Sequence, residues 1–215
     1  MMLRSLKNKK ILITCGPTWV ALDSVRVISN ISTGILGQRI AQDCVKKGAH
    51  VTLLEGPVET PLKSQKIKII KFKYYDELFE LLKKQLRNPF DVVIHLAAVS
   101  DYKIKNPQKI KISSQLKSLT LKLTPTKKII HSIKKTRKKI FLVGFKLESR
   151  VYKKGIKNLT QKLFTKANCD LMVVNTLNHN KYSAYIVNKN GEILSESKSK
   201  NILSKKLITT IPNFL

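Results

Sequence analysis

Between Ser29 and Gly34 the chain reads Ser-Asn-Ile-Ser-Thr-Gly, just ahead of an apolar periodicity that begins at Leu36 and continues through Ile40 and Cys44 to Gly48. Hydroxyls, a side-chain amide and a glycine at the start of a helix can hold an anion. The first backbone amides there lack partners, and the helix presents its positive end. The natural guest is a phosphate ester or a triphosphate. Read alone, Ser32 or Thr33 would do no more than cap the helix, and Gly34 would relieve a turn. A second polar group closes an apolar run: Asp91 to Ala98 is nearly continuous in hydrophobics and finishes in Ala97-Ala98-Val99-Ser100-Asp101-Tyr102. Ligands of open α/β sheets sit at such strand ends. From Tyr102 to Lys139 there are thirteen Lys or Arg and no acidic residue, a setting that favours phosphate chemistry.

These residues need a frame. Ile11 to Thr14 is a β-branched run and His50 to Leu54 another, so with the helix between them they form a βαβ unit that Gly48 helps to close. A dinucleotide fold turns from first strand to first helix through a compact G-x-G-x-x-G. Here Gly16 is separated from the Gly34-x-x-Gly37 pair by a long loop, which must do more than cradle a pyrophosphate. Further on, Ile67 to Phe72 reads as a strand. Asp76 is placed to cap a helix carrying Leu78, Leu81, Leu82 and Leu86, ended by Asn88 and Pro89. Ile104 to Ser118 is lysine-rich and without period, a mobile connection. Leu119 to Leu123 alternates like a half-buried strand but interrupts the βα rhythm, as a projecting arm that pairs with another subunit would.

A helix over about Thr126 to Lys138, a strand over Ile140 to Phe145, a helix over about Ile156 to Lys166 and a strand over Leu171 to Val174 restore the rhythm. Tyr182 to Val187 and Glu192 to Ser197 flank Asn188-Lys189-Asn190-Gly191 as a hairpin, and an amphipathic helix near Asn201 to Ile211 follows. The expected fold is α/β: a Rossmann-like, mostly parallel sheet with helices on both faces, plus a small β arm and a C-terminal hairpin. Residues 1–215 form one nucleotide-binding domain, with 102–124 as mobile segment and dimerisation arm.

Composition excludes several classes. The 215 residues, 42% of them apolar, suffice for a single sizeable core. The longest apolar run, Val92 to Val99, contains a histidine, and the basic start Met1 to Lys10 leads into only four apolar residues. Neither a membrane span nor a leader is expected, so the location should be cytoplasmic. Cys15, Cys44 and Cys169 have no zinc spacing and are expected to be reduced, with Cys44 a small core residue. The formal charge of +29, from 42 Lys and Arg against 13 Asp and Glu, would suit a nucleic-acid binder. Yet the basic residues are spread over most elements, without zinc-finger spacing, aromatic ribonucleoprotein motif or basic tail, so no nucleic-acid partner is expected.

Four features together carry a resemblance: Thr14-x-Gly16-Pro17-Thr18; Asp23-x-x-Arg26 with Ser29-Asn30-x-Ser32-x-Gly34; Ala97 to Tyr102; and Lys162-Leu163-x-x-Lys166 before Cys169-Asp170-Leu171. In order and spacing they resemble phosphopantothenoylcysteine synthetase, a ligase of coenzyme A biosynthesis. The likeness extends through Lys109-Ile110-Lys111, Leu119 to Leu123, Val143-Gly144-Phe145 and Glu148 to Val174-Asn175. It implies an enzyme that joins 4′-phosphopantothenate to L-cysteine, activating the carboxylate with CTP and Mg²⁺ as an acyl-cytidylate, while the unplaced strand Leu119 to Leu123 leads to the expectation of a homodimer. By motif it implies that Asn30 holds the substrate or acyl-cytidylate, with Gly16, Ser29, Ser32 and Gly34 also at the substrate. Ala97, Ala98, Asp101, Lys109, Ile129, Phe145, Lys162 and Lys166 would line the nucleotide site. The resemblance makes Asn30 and Lys109 the expected catalytic pair. No metal ligand is identified.

The sequence departs from the family pattern at Trp19 and Val20 (usually Arg-Glu), Ile35 (often Lys), Lys127-Lys128 (usually Pro-Asp) and Thr176 (usually Asp). It also lacks the decarboxylase to which many bacterial synthetases are fused, and is expected to work as a stand-alone enzyme. Two rival readings exist. Ile94-His95-Leu96-Ala97-Ala98 resembles the fourth strand of short-chain dehydrogenases and epimerases, whose Tyr-x-x-x-Lys has its only match at Tyr185 to Lys189, on a strand and turn. An RNA-binding protein rests on charge alone.

Overall fold

The computed structural model describes residues 5–178 and 181–215, with only the backbone at 177 and 178. In chain order its elements are β1 (Lys10–Cys15), β2 (Trp19–Ala21), β3 (Val27–Ser29), α1 (Ile35–Lys46), β4 (His50–Glu55), β5 (Ile67–Lys71), α2 (Tyr75–Gln85), β6 (Val92–His95), β7 (Tyr102–Ile104), β8 (Leu123–Pro125), α3 (Ile130–Thr136), β9 (Phe141–Glu148), α4 (Ile156–Ala167), β10 (Leu171–Asn178), β11 (Lys181–Asn188), β12 (Ile193–Ser197) and α5 (Lys200–Thr210).

Eight strands form one sheet in the order β12-β11-β10-β9-β6-β1-β4-β5. The six from β5 to β10 are parallel, while β11 and β12 fold back antiparallel as a hairpin on one edge. Numbered among themselves, the parallel strands run 3-2-1-4-5-6, so the order reverses between β1 and β6, and the crevice beyond their carboxyl ends is the ligand position of such sheets. Alternation along each strand divides the core. Ile11, Ile13, Val51, Ile94 and Val143 pack under α1 and α5 with Ile40, Cys44, Leu203 and Leu207. Leu12, Leu54, Val93, Leu142 and Met172 pack on the other face with Leu78, Leu82, Ile133 and Phe164 of α2, α3 and α4.

Several boundaries differ from expectation. The arm strand is Leu123–Pro125, not Leu119 to Leu123, and it pairs antiparallel with Tyr102–Ile104 of its own chain. The pairing starts there because the next residue, Thr126, donates its amide to Asp101 O at 2.9 Å and its hydroxyl to Ser100 O at 2.7 Å. The same ties, with Tyr75 Oη donating to Lys127 O at 2.7 Å, keep 126–129 out of the helix expected from Thr126, so α3 begins at Ile130. Asp76 lies inside the first turn of α2, and Glu77 does the capping by accepting the Lys73 and Tyr74 amides. The long loop after β1 holds a hairpin that no periodicity announced, β2 against β3 with Trp19 opposite Ser29.

Candidate active site

The floor of the crevice is made where the loops leaving β1 and β6 are laced together. Ala98 N donates to Gly16 O at 2.9 Å and Thr18 N to Ala98 O at 3.2 Å. Thr18 and Ser100, both buried, exchange three further bonds, from Ser100 N to Thr18 Oγ1, from Ser100 Oγ to Thr18 O and from Thr18 Oγ1 to Ser100 Oγ. Beneath them His95 lies buried, its Nδ1 2.9 Å from Thr14 Oγ1, which in turn accepts the Ala97 amide at 3.2 Å. Burial pushes the pKa of His95 down to about 4, so the ring is neutral at physiological pH.

Asn30 is drawn onto this floor. Its Nδ2 donates to both Ala98 O and Val99 O, each at 3.2 Å, which leaves its Oδ1 as the atom turned to other uses. Ser29 Oγ sits within reach of Thr18 O and Asn30 O. Ser32 is half-buried and Gly34 buried. Neither Ser32 nor Thr33 caps α1: the N-cap is Gly34, in the left-handed region with φ 71°, and no side chain bonds to the first turn. The simple capping role is therefore not what these residues perform.

Gly16 also has positive φ, 77°. Val58 Cγ1 lies 3.0 Å and 2.7 Å from where a Cβ would stand on Gly16 and Gly34. A valine thus packs against the Cα of both glycines. The dehydrogenase reading loses its catalytic pair, since Tyr185 is buried and Lys189 is ion-paired with Asp170 at 2.8 Å.

On the β6 side, Asp101 is exposed and its Oδ1 meets Lys128 Nζ at 2.5 Å. His131 is held below its ordinary pKa by burial and then by Lys166, Lys128 and Lys135. Those lysines therefore share one neighbourhood at the start of α3. Lys162 and Lys166 are both exposed on α4, one turn apart. Phe145 is half-buried in the middle of β9, which runs on to Glu148 past the strand end expected at Phe145, and packs on the core under α1, while Ile129 is only 2% exposed and belongs to the opposite core. Any contact of Ile129 with a nucleotide would fall to its main chain. Lys109 is exposed on the segment after β7, which is tied to the tip of the β2–β3 hairpin.

Gly16, Asn30, Ala97 and Ala98 are thus brought together directly, and Asp101 is joined to the start of α3. Sequence reasoning missed Lys128 and His131. The only signal for Lys128 was its place in a pair that departs from a family pattern, and His131 gave none. Among the described residues no group of three or more His, Cys, Asp or Glu could hold a metal ion, and no helix is long and apolar enough to cross a membrane.

The family described as the DNA/pantothenate metabolism flavoprotein C-terminal domain matches residues 6–214. The chain is 36% identical over 177 residues to the coenzyme A biosynthesis bifunctional protein CoaBC of Thermococcus kodakarensis, covering 81% of this chain and 43% of that protein. With the protein of the same name from Borreliella burgdorferi the identity is 34% over 213 residues, covering 94% and 52%. The chain spans about half the length of these curated relatives. Among solved structures, the DNA/pantothenate metabolism flavoprotein from Streptococcus pneumoniae superposes with a TM-score of 0.85 at 28% identity, over 96% of this chain and 100% of that one.

Proposed function

The chain belongs to the DNA/pantothenate metabolism flavoprotein C-terminal domain family, and from that membership we propose that it is a phosphopantothenate–cysteine ligase of coenzyme A biosynthesis. A carboxylate oxygen of 4′-phosphopantothenate attacks the α-phosphorus of CTP and pyrophosphate leaves. The amine of L-cysteine then attacks the acyl carbon of the acyl-cytidylate, CMP leaves and the amine sheds a proton. The observation that carries the reading is Asn30, whose amide is bonded to the Ala98 and Val99 carbonyls. The loop expected to hold the acyl group therefore meets the strand end expected to hold the nucleotide, as in-line transfer between two bound anions requires.

In this reading Asn30 Oδ1, with Ser29, Ser32, Gly16 and Gly34, orients the acyl group. Lys109, Lys162 and Lys166 neutralise the phosphates, and Asp101 serves the base or ribose beside Ala97, Ala98 and Phe145. Mg²⁺, arriving on the triphosphate, would neutralise charge there, and the exposed Asp101 carboxylate would help to hold it. We further propose a cytoplasmic homodimer, supported by the exposed apolar side chains Val25, Val27, Ile28 and Ile31 around the hairpin and Ile110, Leu116, Leu119 and Leu123 along the arm.

Incubation with 4′-phosphopantothenate, L-cysteine, Mg²⁺ and CTP should yield phosphopantothenoylcysteine, CMP and pyrophosphate. CDP with orthophosphate would indicate an acyl phosphate and overturn the cytidylate route. Light scattering should report a dimer at micromolar concentration, and a monomer would refute that part.

A further inference from the structure

The hairpin that interrupts the β1–α1 loop turns at Leu22 to Arg26, and at its centre the Asp23 side chain is fully buried. One carboxylate oxygen closes the turn, with Oδ1 accepting the amides of Val25 at 2.9 Å and Arg26 at 2.8 Å. The other reaches out of the hairpin, with Oδ2 accepting the Ile112 amide at 3.0 Å and Arg26 Nη1 at 2.6 Å. That same Nη1 donates to Ile112 O at 3.1 Å. Both polar groups of one residue on a distant segment are therefore gripped by an ion pair. A second tie lies just before Lys109, where Gln108 N donates to Leu22 O at 3.3 Å. Lys109 to Lys111 span the gap between the two ties. At its other end the hairpin runs from β3 straight into Asn30.

We propose that Asp23 is a positioning residue, which through the Ile112 peptide fixes Lys109 to the hairpin that carries Asn30, so that the groups serving the two half-reactions move as one body. The assignment of Lys109 rests on the ligase reading; the clamp itself does not. A carboxylate is required at position 23 because every polar atom around it is a donor, and an amide would turn its own donor toward two of them. Burial opposes ionisation of Asp23, but the amides of Ile112, Val25 and Arg26 and the Arg26 guanidinium outweigh it and bring the pKa down to about 2. The clamp is made at every pH at which the protein would work.

The test is Asp23→Asn, which preserves shape and an acceptor for the turn. Hydrogen exchange of the Ile112 amide should accelerate by about tenfold or more, the scale of one charge-assisted hydrogen bond, while amides of β1 keep their protection. Acyl-cytidylate formation should slow by about tenfold with KM for cysteine unmoved, and Asp23→Asn combined with Lys109→Gln should be no slower than Lys109→Gln alone. Should Asp23→Asn fail to fold, Ile112→Pro removes the donor from the other side on an exposed segment and must reproduce the slower acyl-cytidylate formation, with the amides of β1 still protected. Unchanged Ile112 exchange, or losses that multiply with that of Lys109→Gln, would overturn the proposal. A wild-type protein that makes no phosphopantothenoylcysteine would refute the ligase reading, while Ile112 exchange would still report on the clamp.

Discussion

Lowering the pH from 7 to 5 should destabilise this protein through one buried ring. Thr14 Oγ1 accepts the Ala97 amide and shares a hydrogen bond of 2.9 Å with His95 Nδ1, which either neutral tautomer satisfies. A second proton on the ring would place a charge, 7% exposed, beneath the crevice. Burial lowers the pKa from 6.5 to about 4 in the folded chain, whereas the unfolded chain takes up the proton near 6.5. The stabilisation is therefore complete above the unfolded value and is lost as the pH falls toward the folded one. The whole gap corresponds to roughly 3 kcal/mol, of which about 2 kcal/mol disappears between pH 7 and pH 5. Urea denaturation followed by fluorescence of Trp19, the single tryptophan, measures this directly. His95→Gln retains an acceptor but cannot charge, so its unfolding free energy should vary less over that interval by about 2 kcal/mol. Most carboxylates titrate lower and affect both proteins alike. Parallel pH profiles of the two proteins would refute the assignment of His95 as a buried neutral ring.

Other outcomes follow from the same geometry. With labelled phosphopantothenate and CTP, Asn30→Asp sets a carboxylate against the Ala98 and Val99 carbonyls and should accumulate acyl-cytidylate, slowing cysteine attack by about tenfold or more. Lys109→Gln should not accumulate it, and wild-type turnover by Asn30→Asp would sink the role given to that loop. Gly34→Ala, at φ 71° and with Val58 Cγ1 2.7 Å from the new Cβ, should lose roughly 1–3 kcal/mol of unfolding free energy in urea. Val58→Ala in the same chain should recover part of that loss, and an undiminished Gly34→Ala would contradict the strained contact. Cys15, Cys44 and Cys169 are all buried, with burial pushing Cys44 and Cys169 up to about 12 and Cys15 higher still. An aromatic disulfide reagent should therefore titrate no thiol in the native protein and three in urea, and rapid native release from even one would be inconsistent with this core.

The parallel sheet could be read from sequence because its strands are buried on both faces and appear as unbroken β-branched runs, as at Ile11 to Thr14 and Asp91 to Ala98. The α4 helix, expected over Ile156 to Lys166, runs Ile156–Ala167, since its stripe of Ile156, Thr160 and Phe164 repeats with the helix. Gly191, with φ 80°, turns the hairpin that its Asn-Gly signal announced. What sequence concealed depends on distant partners. Strands of three residues such as Trp19–Ala21 are too short for any period. The late start of α3 is imposed by Tyr75, Ser100 and Asp101, and Lys127 and Lys128 carry no local sign of it. Within the site, motif resemblance pointed to Asn30 and Asp101, but that one is bonded to the β6 loop and the other ion-paired with Lys128 depends on the fold.

The far edge of the sheet gives the charge a meaning apart from any ligand. β5 is the outermost parallel strand, with Lys68 and Lys71 exposed along it and Lys66 just before it. Two copies offering their free β5 amides and carbonyls to one another would bring these ammonium groups together, and lysines on an edge oppose that kind of open-ended growth. Part of the +29 formal charge thus keeps separate molecules from continuing each other's sheets. Because mutual repulsion reaches about 10 Å at 0.1 M salt but only about 3 Å at 1 M, concentrated salt would remove this protection while leaving each folded chain intact, and solubility would be lost before structure.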